Sequence, residues 1–242
     1  MKKFNDITSN ELTLDKDSHI YQLPSDSSVE FESVTTFIAR FFEKFDALAV
    51  ATKLVNNSPK YMDMTVQEVL EKWKGSAIHG TVVHEEIENY ILNQVKPSEP
   101  KAIHGINWLG RYVKNKKFEL MTEKMVYSKE LGLAGSIDML VKIDDDKYIV
   151  MDWKTNEKLT FKSFNKKRGI HEITKDIDDC KFNLYSLQLS LYTYILERYY
   201  NLNVVDQLII HLKDNDVVCH EAVYYQSHMI EFANLLKENH GV

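Results

Sequence analysis

Hydrophobic and polar positions along the chain follow two different periods, helical in the first half and strand-like from about residue 118 onward. The first 32 residues are polar and weakly periodic, with one short strand predicted at His19-Ile20-Tyr21-Gln22-Leu23 before the turn-forming run Pro24-Ser25-Asp26-Ser27-Ser28. They read as an extended arm. Ser33 or Thr35 then caps a predicted helix from about 35 to 56, in which Phe37, Ile38, Phe41, Phe42, Phe45, Leu48 and Ala49 recur at helical spacing. A second helix starts near Thr65 (Val66, Val69, Leu70, Trp73). A third spans about 75–94 with the stripe Val83, Ile87, Tyr90 and Ile91, and ends before Pro97 and Pro100. A short helix at about 102–115 (Ile106, Leu109, Tyr112, Val113) closes this half.

Three strands follow in close succession, Leu120–Ser128, Leu133–Ile143 and Lys147–Trp153. The last two are joined by Asp144-Asp145-Asp146, a turn-favouring run that predicts antiparallel pairing. A polar stretch over 156–182 leads to a helix at about 183–200, a strand at Val204–Leu212, another near 217–225 and a closing helix from about 227. Helices followed by βββ, α, β(β), α predict a mixed α/β (α+β) domain with a central mixed sheet flanked by helices. The division expected is an arm over 1–32 and one domain over 33–242, with a helical part at 33–117 and a sheet core at 118–242.

At 242 residues, 44% hydrophobic and 27% charged, the chain can bury a sizeable core, which excludes collagen-like, mucin-like and disordered classes. Its 30 Lys and Arg against 36 Asp and Glu give a net charge of −6, so a polyanionic partner must be held by local basic patches or bridging metal ions. The two cysteines, Cys180 and Cys219, are too few for a zinc finger or a four-cysteine iron–sulfur cluster, and reduced thiols in a cytoplasmic setting are expected. No apolar run is long enough to predict a membrane span, and the N-terminal residues resemble neither a signal nor a transit peptide.

The candidate chemistry lies in Gly135-Ser136-Ile137-Asp138 and Met151-Asp152-Trp153-Lys154-Thr155. Strand alternation turns Asp152 and Lys154 to one face and Met151 and Trp153 to the other. On the neighbouring strand Ile137, Met139, Val141 and Ile143 form one apolar face, leaving Asp138 opposite, so a suitable register brings Asp138 to Asp152. Two close carboxylates need a shared proton, a cation partner or a divalent metal; with Lys154 adjacent, the pattern points to a Mg²⁺ site acting on phosphate. On the third helix His84 and Glu88 stand at i and i+4 beside Val83, Ile87 and Ile91, so His84 can add a ligand oriented by Glu88, or the two can form a simple surface pair. Gln188 and Tyr192 repeat that spacing beside Leu184, Leu187, Leu191 and Ile195, and can bind a phosphate or base, orient the lysine, or serve packing alone.

Taken together, G-x-x-x-H-x-x-x-E, G-x-x-D, D-x-K and Q-x-x-x-Y, in that order, resemble the PD-(D/E)XK nuclease superfamily. The match is closest to its RecB/Cas4-like branch, and among its members to mitochondrial genome maintenance exonuclease and viral relatives. Ser33-Val34-Thr35-Thr36, Trp73 and Met151 through Lys158 extend the likeness, which covers about residues 20–215. The resemblance implies a restriction-endonuclease-like core. In it Asp138, Asp152, His84 and the Trp153 carbonyl bind Mg²⁺ or Mn²⁺, and Lys154 orients the attacking water. Gln188 and Tyr192 position nucleic acid, with Glu88 and Glu123 as auxiliary carboxylates. Iron–sulfur members need four cysteines, so no cluster is expected here.

Lys158, Lys162, Lys166, Lys167 and Arg168, interleaved with Phe161 and Phe164, suit a single strand with cations on phosphates and rings on bases, or form only a solvated loop; Lys114, Lys116 and Lys117 make a smaller patch. The function expected is a metal-dependent exonuclease on single-stranded DNA with free ends, in recombination, repair or end processing. It would be phage, viral or cellular, would work in the cytoplasm of the cell or host, and could be partnered by a helicase or recombination protein. The alternatives are a catalytically lapsed DNA-binding subunit, and an endonuclease on duplex or branched DNA or on RNA.

Overall fold

The computed structural model describes residues 4–15, 18–114, 117–144 and 146–240; Lys116 of the small basic patch and Asp145 of the hairpin turn lie outside these. Strands β1 (Thr13–Asp15) and β2 (Ile20–Gln22) pair antiparallel, and Leu12, Tyr21 and Leu23 are buried against Tyr127 and Ala134. The two-residue β3 (Glu32–Ser33) leads directly into α1 (Val34–Ala39), capped by Ser33, whose hydroxyl accepts from Thr36 N–H. The helix expected over 35–56 is interrupted. Asp46 caps a separate α2 (Ala47–Asn57), accepting from Ala49 N–H at 2.9 Å, so a helix start falls inside the apolar run. The two helices expected between 65 and 94 are instead one, α3 (Val66–Asn93), opened by a reciprocal Thr65–Glu68 capping box and continuing through Gly75. α4 (Pro100–Tyr112) follows, with proline at its first position, where no amide hydrogen is needed.

Beyond α4 run β4 (Glu119–Ser128), β5 (Leu133–Lys142), β6 (Lys147–Lys154), α5 (Lys181–Tyr199), β7 (Asn203–Leu212), β8 (Val217–Glu221) and α6 (Gln226–His240). The strands β4, β5 and β6 form an antiparallel meander; β7 lies parallel to β6 after the α5 crossover, and β8 pairs antiparallel with β7. This is the mixed sheet flanked by helices that the sequence predicts. Its two faces carry separate cores. On one side Leu140, Val150 and Ile209 meet α1, α5 and α6; on the other Met139, Met151, Trp153 and Ile210 meet α3 and α4.

One feature of the sheet creates the site. The β5–β6 ladder runs from Lys142↔Tyr148 only as far as Met139↔Met151, while β3 pairs with Leu133 and Ala134 at the start of β5. Between these contacts the strands fork, over residues 135–138 and 152–154. On the other edge of β5 the β4 ladder skips the Glu123–Asp138 rung, where Glu123 has a left-handed φ of 45°, a conformation a non-glycine residue rarely takes within a strand. The expected single face Ile137/Met139/Val141 is corrected by this interruption: Ile137 packs with Leu140 on the α5 side, whereas Met139 and Val141 face α3 and α4.

Candidate active site

Asp138 and Asp152 stand in the mouth of the fork, one residue beyond the last Met139↔Met151 rung, so the register brings the two carboxylates together. Beyond the end of the β5–β6 ladder, the Trp153 N–H donates to Asp138 Oδ2 at 2.8 Å. Burial and the neighbouring Asp152 push the Asp138 carboxyl up to about 8, against the opposing pull of Lys154 and the Trp153 amide. Asp152 is the more buried, its side chain 3% exposed; Gln188 Nε2 donates to its Oδ1 at 3.3 Å, and its Oδ2 meets the Lys154 ammonium in a close ion pair poorly aligned as a hydrogen bond.

His84 reaches the same place from α3, with Nδ1 3.4 Å from Asp138 Oδ2 and a hydrogen bond to the Trp153 backbone. Burial, and then the charge of Lys154, hold its ring below the ordinary histidine value, which favours the neutral form that ligates metals. The kink at Glu123 completes the group. Donor atoms of His84, Glu123 and Asp138 all lie within 4.8 Å of one another. The Ser136 hydroxyl donates to Glu123 Oε2 at 2.8 Å, and burial and the Asp138 charge raise the Glu123 carboxyl. Glu88 is half-buried one turn beyond His84, and its charge acts on Glu123. Carboxylate and imidazole donors around two mutually repelling acids suit a hard divalent cation, and such an ion would relieve their repulsion.

The α5 helix grips the D-x-K strand from the other side. Tyr192, expected at the nucleic acid, is buried with its ring against Gly135 and its hydroxyl bonded to Gln188, so it supports Gln188 rather than lining an open surface. Sequence reasoning passed over Tyr185, one turn before Gln188, whose ring centroid lies 4.3 Å from Lys154 Nζ. It also passed over Lys101 and His211. Lys101 Nζ donates to the Thr155 carbonyl at 2.9 Å, and His211 Nε2, 2.7 Å from the Asn156 carbonyl, must carry the proton there, so two successive carbonyls after Lys154 are fixed. An i−3 step from Gln188 was the available signal for Tyr185; Lys101 and His211 gave none.

A groove of about 590 Å³ opens beside these residues, lined among others by Gly75, Gly80, His84, Lys101, Lys154 and Tyr185. Glycine lets α3 approach the end of β6, since a Cβ at Gly80 would fall 2.9 Å from Thr155 Oγ1. Residues 43–65 cross from the α5-side core, which holds Phe42, to α3 on the opposite face. They are tied to the loop after β6 by Lys60–Glu157 (3.1 Å), Glu43–Lys167 and Lys53 over the Phe164 ring (5.8 Å). The predicted basic stretch divides: Lys167 pairs with Glu43 and Arg168 with Asp178, while Lys158, Lys162 and Lys166 are exposed near Phe164, itself 70% exposed.

The sequence pattern of the PD-(D/E)XK nuclease superfamily matches residues 32–239. The chain belongs to that superfamily. Its members are divalent-metal-dependent, in keeping with the His84/Glu123/Asp138 group of this nuclease. The chain has no significant match among curated proteins. Among solved structures it is similar to a protein designated SSO0001 (13% identity, TM-score 0.38, covering 86% of this chain and 76% of that one). It is similar also to a candidate exonuclease from Eubacterium rectale (10% identity, TM-score 0.38, covering 95% and 84%). Among the described residues of this nuclease, no helix is long and apolar enough to cross a membrane.

Proposed function

We propose that this nuclease is an exodeoxyribonuclease that hydrolyses single-stranded DNA from free ends, in recombination, repair or end processing. The observation that carries the reading is the groove that holds the D-x-K lysine, at whose margin residues 43–65 are tied through Lys60–Glu157 and Glu43–Lys167 to the loop after β6; a crossing segment beside the groove suits the entry of a single-strand end better than the middle of a duplex. Exposed Phe161 and Phe164 beside Lys158, Lys162 and Lys166 supply rings for bases and cations for phosphates at its approach. Free ends, then, are the preferred substrate.

His84, Asp138, Asp152, Glu123 and the Trp153 carbonyl would hold Mg²⁺ or Mn²⁺, with Glu88 beside them. When bound, the cation lowers the pKa of its water and offsets the charge of the phosphate. Lys154 orients the attacking water and stabilises the charge that develops on phosphorus-bound oxygen. Gln188 holds Asp152 in line, and Tyr192 holds Gln188. Residues 33–242 act as one nuclease domain with the first 32 residues attached to it, in the cytoplasm of the cell or host and in company with a helicase or recombination protein.

The test is a cleavage time course on linear and circular single-stranded DNA, with and without Mg²⁺ or Mn²⁺, with Lys154→Ala as control. Metal-dependent loss of the linear form alone is expected, and end labelling then gives polarity. Cutting of the circle would make the protein an endonuclease, and binding without cutting would make it a lapsed binding subunit. The retention of Asp138, Asp152 and Lys154 in one site argues against the latter.

A further inference from the structure

The α5 helix carries a row of three polar rings and amides, Tyr185, Gln188 and Tyr192, one turn apart. The last two belong to the Q-x-x-x-Y pattern; Tyr185 lies outside it. A strand advances about 6.7 Å over two residues and a helix about 4.5 Å over three, so α5 lying across the end of β6 can set successive side chains against both members of a D-x-K pair. It does so here. Gln188 bonds Asp152 at 3.3 Å, and the Tyr185 ring receives the Lys154 ammonium 4.3 Å from its centroid. That distance is well within cation–π range, and the contact is only partly solvated, because the Lys154 side chain is 16% exposed.

We propose that Tyr185 is a positioning residue for Lys154, acting through its ring face. The proposal rests on the nuclease reading of the site and adds to it. Lys154 has two anchors, the Asp152 carboxylate and the Tyr185 ring. A divalent cation held by Asp152 competes with the ammonium for that carboxylate, whereas an uncharged ring is not a ligand for Mg²⁺ or Mn²⁺. Tyr185 is therefore the anchor that persists when the site is loaded. It keeps a flexible four-carbon chain directed into the groove, which Tyr185 and Lys154 line together.

The experiment uses the full chain with Tyr185→Phe, Tyr185→Leu and Tyr185→Met. Three readouts are taken: kcat and KM on linear single-stranded DNA with Mn²⁺, Mn²⁺ affinity by calorimetry without DNA, and the rate of reductive methylation of Lys154 followed by peptide mass spectrometry with Mn²⁺ bound. Tyr185→Leu should lower kcat by about ten-fold or more while KM and Mn²⁺ affinity stay within about two-fold, and should speed Lys154 methylation. Tyr185→Phe, which keeps the ring, should return both kcat and methylation to within about two-fold of wild type. Tyr185→Met fills similar space without a ring and should behave as the leucine variant does, which covers a leucine variant that folds poorly. Unchanged kcat and methylation in the ringless variants would overturn the proposal, as would a phenylalanine variant as defective as they are. A wild-type protein that binds Mn²⁺ but cuts nothing would instead refute the exonuclease reading, and the methylation comparison would still decide the role of Tyr185.

Discussion

Asp138→Asn should stabilise the metal-free protein, and more so as pH rises. In the folded chain burial and Asp152 push the Asp138 carboxyl from its ordinary 3.8 to about 8. A carboxyl raised in this way keeps its proton in the folded state at pH values where the unfolded chain has released it. Its contribution is complete below about pH 4, and stability is lost with rising pH until the folded group also ionises near pH 8. At about 1.36 kcal/mol per pH unit the ceiling is about 6 kcal/mol; relaxation of the pair and its sharing of charge with Lys154 bring the expected effect to about 1–3 kcal/mol. Asparagine cannot ionise, and its side-chain oxygen still accepts from the Trp153 N–H now donated at 2.8 Å, so no amide is orphaned. For a chain of this size the gain corresponds to about 2–4 °C in Tm per kcal/mol. The assay is thermal unfolding by circular dichroism in EDTA at pH 5, 6, 7 and 8, repeated with Mn²⁺. The variant should lead by a margin that widens toward pH 8, and Mn²⁺ should raise wild type selectively, by about 2.7 kcal/mol at a hundred times Kd. A wild type as stable as the variant at pH 8 in EDTA, or a margin that does not change with pH, would refute the reasoning.

His84→Ala should weaken Mn²⁺ binding by at least about ten-fold in calorimetry, since it removes a neutral nitrogen donor; an unchanged isotherm would return His84 to a packing role. Replacing Lys158, Lys162 and Lys166 together by Ala should lower single-strand affinity and reduce the salt slope of log K by up to about 2, while Lys167→Ala with Arg168→Ala, which removes two cations already paired with acids, should change the slope less. Gly135→Ala places a Cβ 2.6 Å from the Tyr192 ring and should cost about 1–3 kcal/mol in urea unfolding, with loss of cleavage as Tyr192 and Gln188 shift.

What the sequence could and could not convey follows from the range of each interaction. The period-2 patterns of β4, β5 and β6 and the Asp-rich turn are local, and the predicted strands lie within a residue or so of the observed ones. The pairing of Asp138 with Asp152 was conditional on register, which the hairpin supplies. Helix boundaries failed where local signals conflicted. The apolar run through Phe45 hides the Asp46 cap, and the division expected near residue 75 gives way to one continuous α3, opened by the Thr65–Glu68 capping box and held by the packing of Val83 and Ile87. The face of Ile137 was misread because the pleat is interrupted by the left-handed backbone of Glu123, and nothing in a glutamate within a strand pattern announces that. In the same way the pairing of Lys167 and Arg168 with Glu43 and Asp178, and the hold of Lys101 and His211 on the loop after Lys154, join residues remote in sequence.

The forked sheet also bears on when this protein becomes dangerous during its own synthesis. His84, Glu123, Asp138 and the D-x-K strand leave the ribosome first, yet β6 has its second neighbour only when β7 pairs Trp153 with Ile210 and Lys154 with His211. The α5 contacts to Asp152 and Lys154 belong to the same late segment. A nascent chain can therefore carry every acidic donor while its lysine still lacks the Tyr185 ring and one edge of its central strand is bare. Competence to cut a phosphodiester arrives only with α5 and β7, well after the segments that carry the acidic donors.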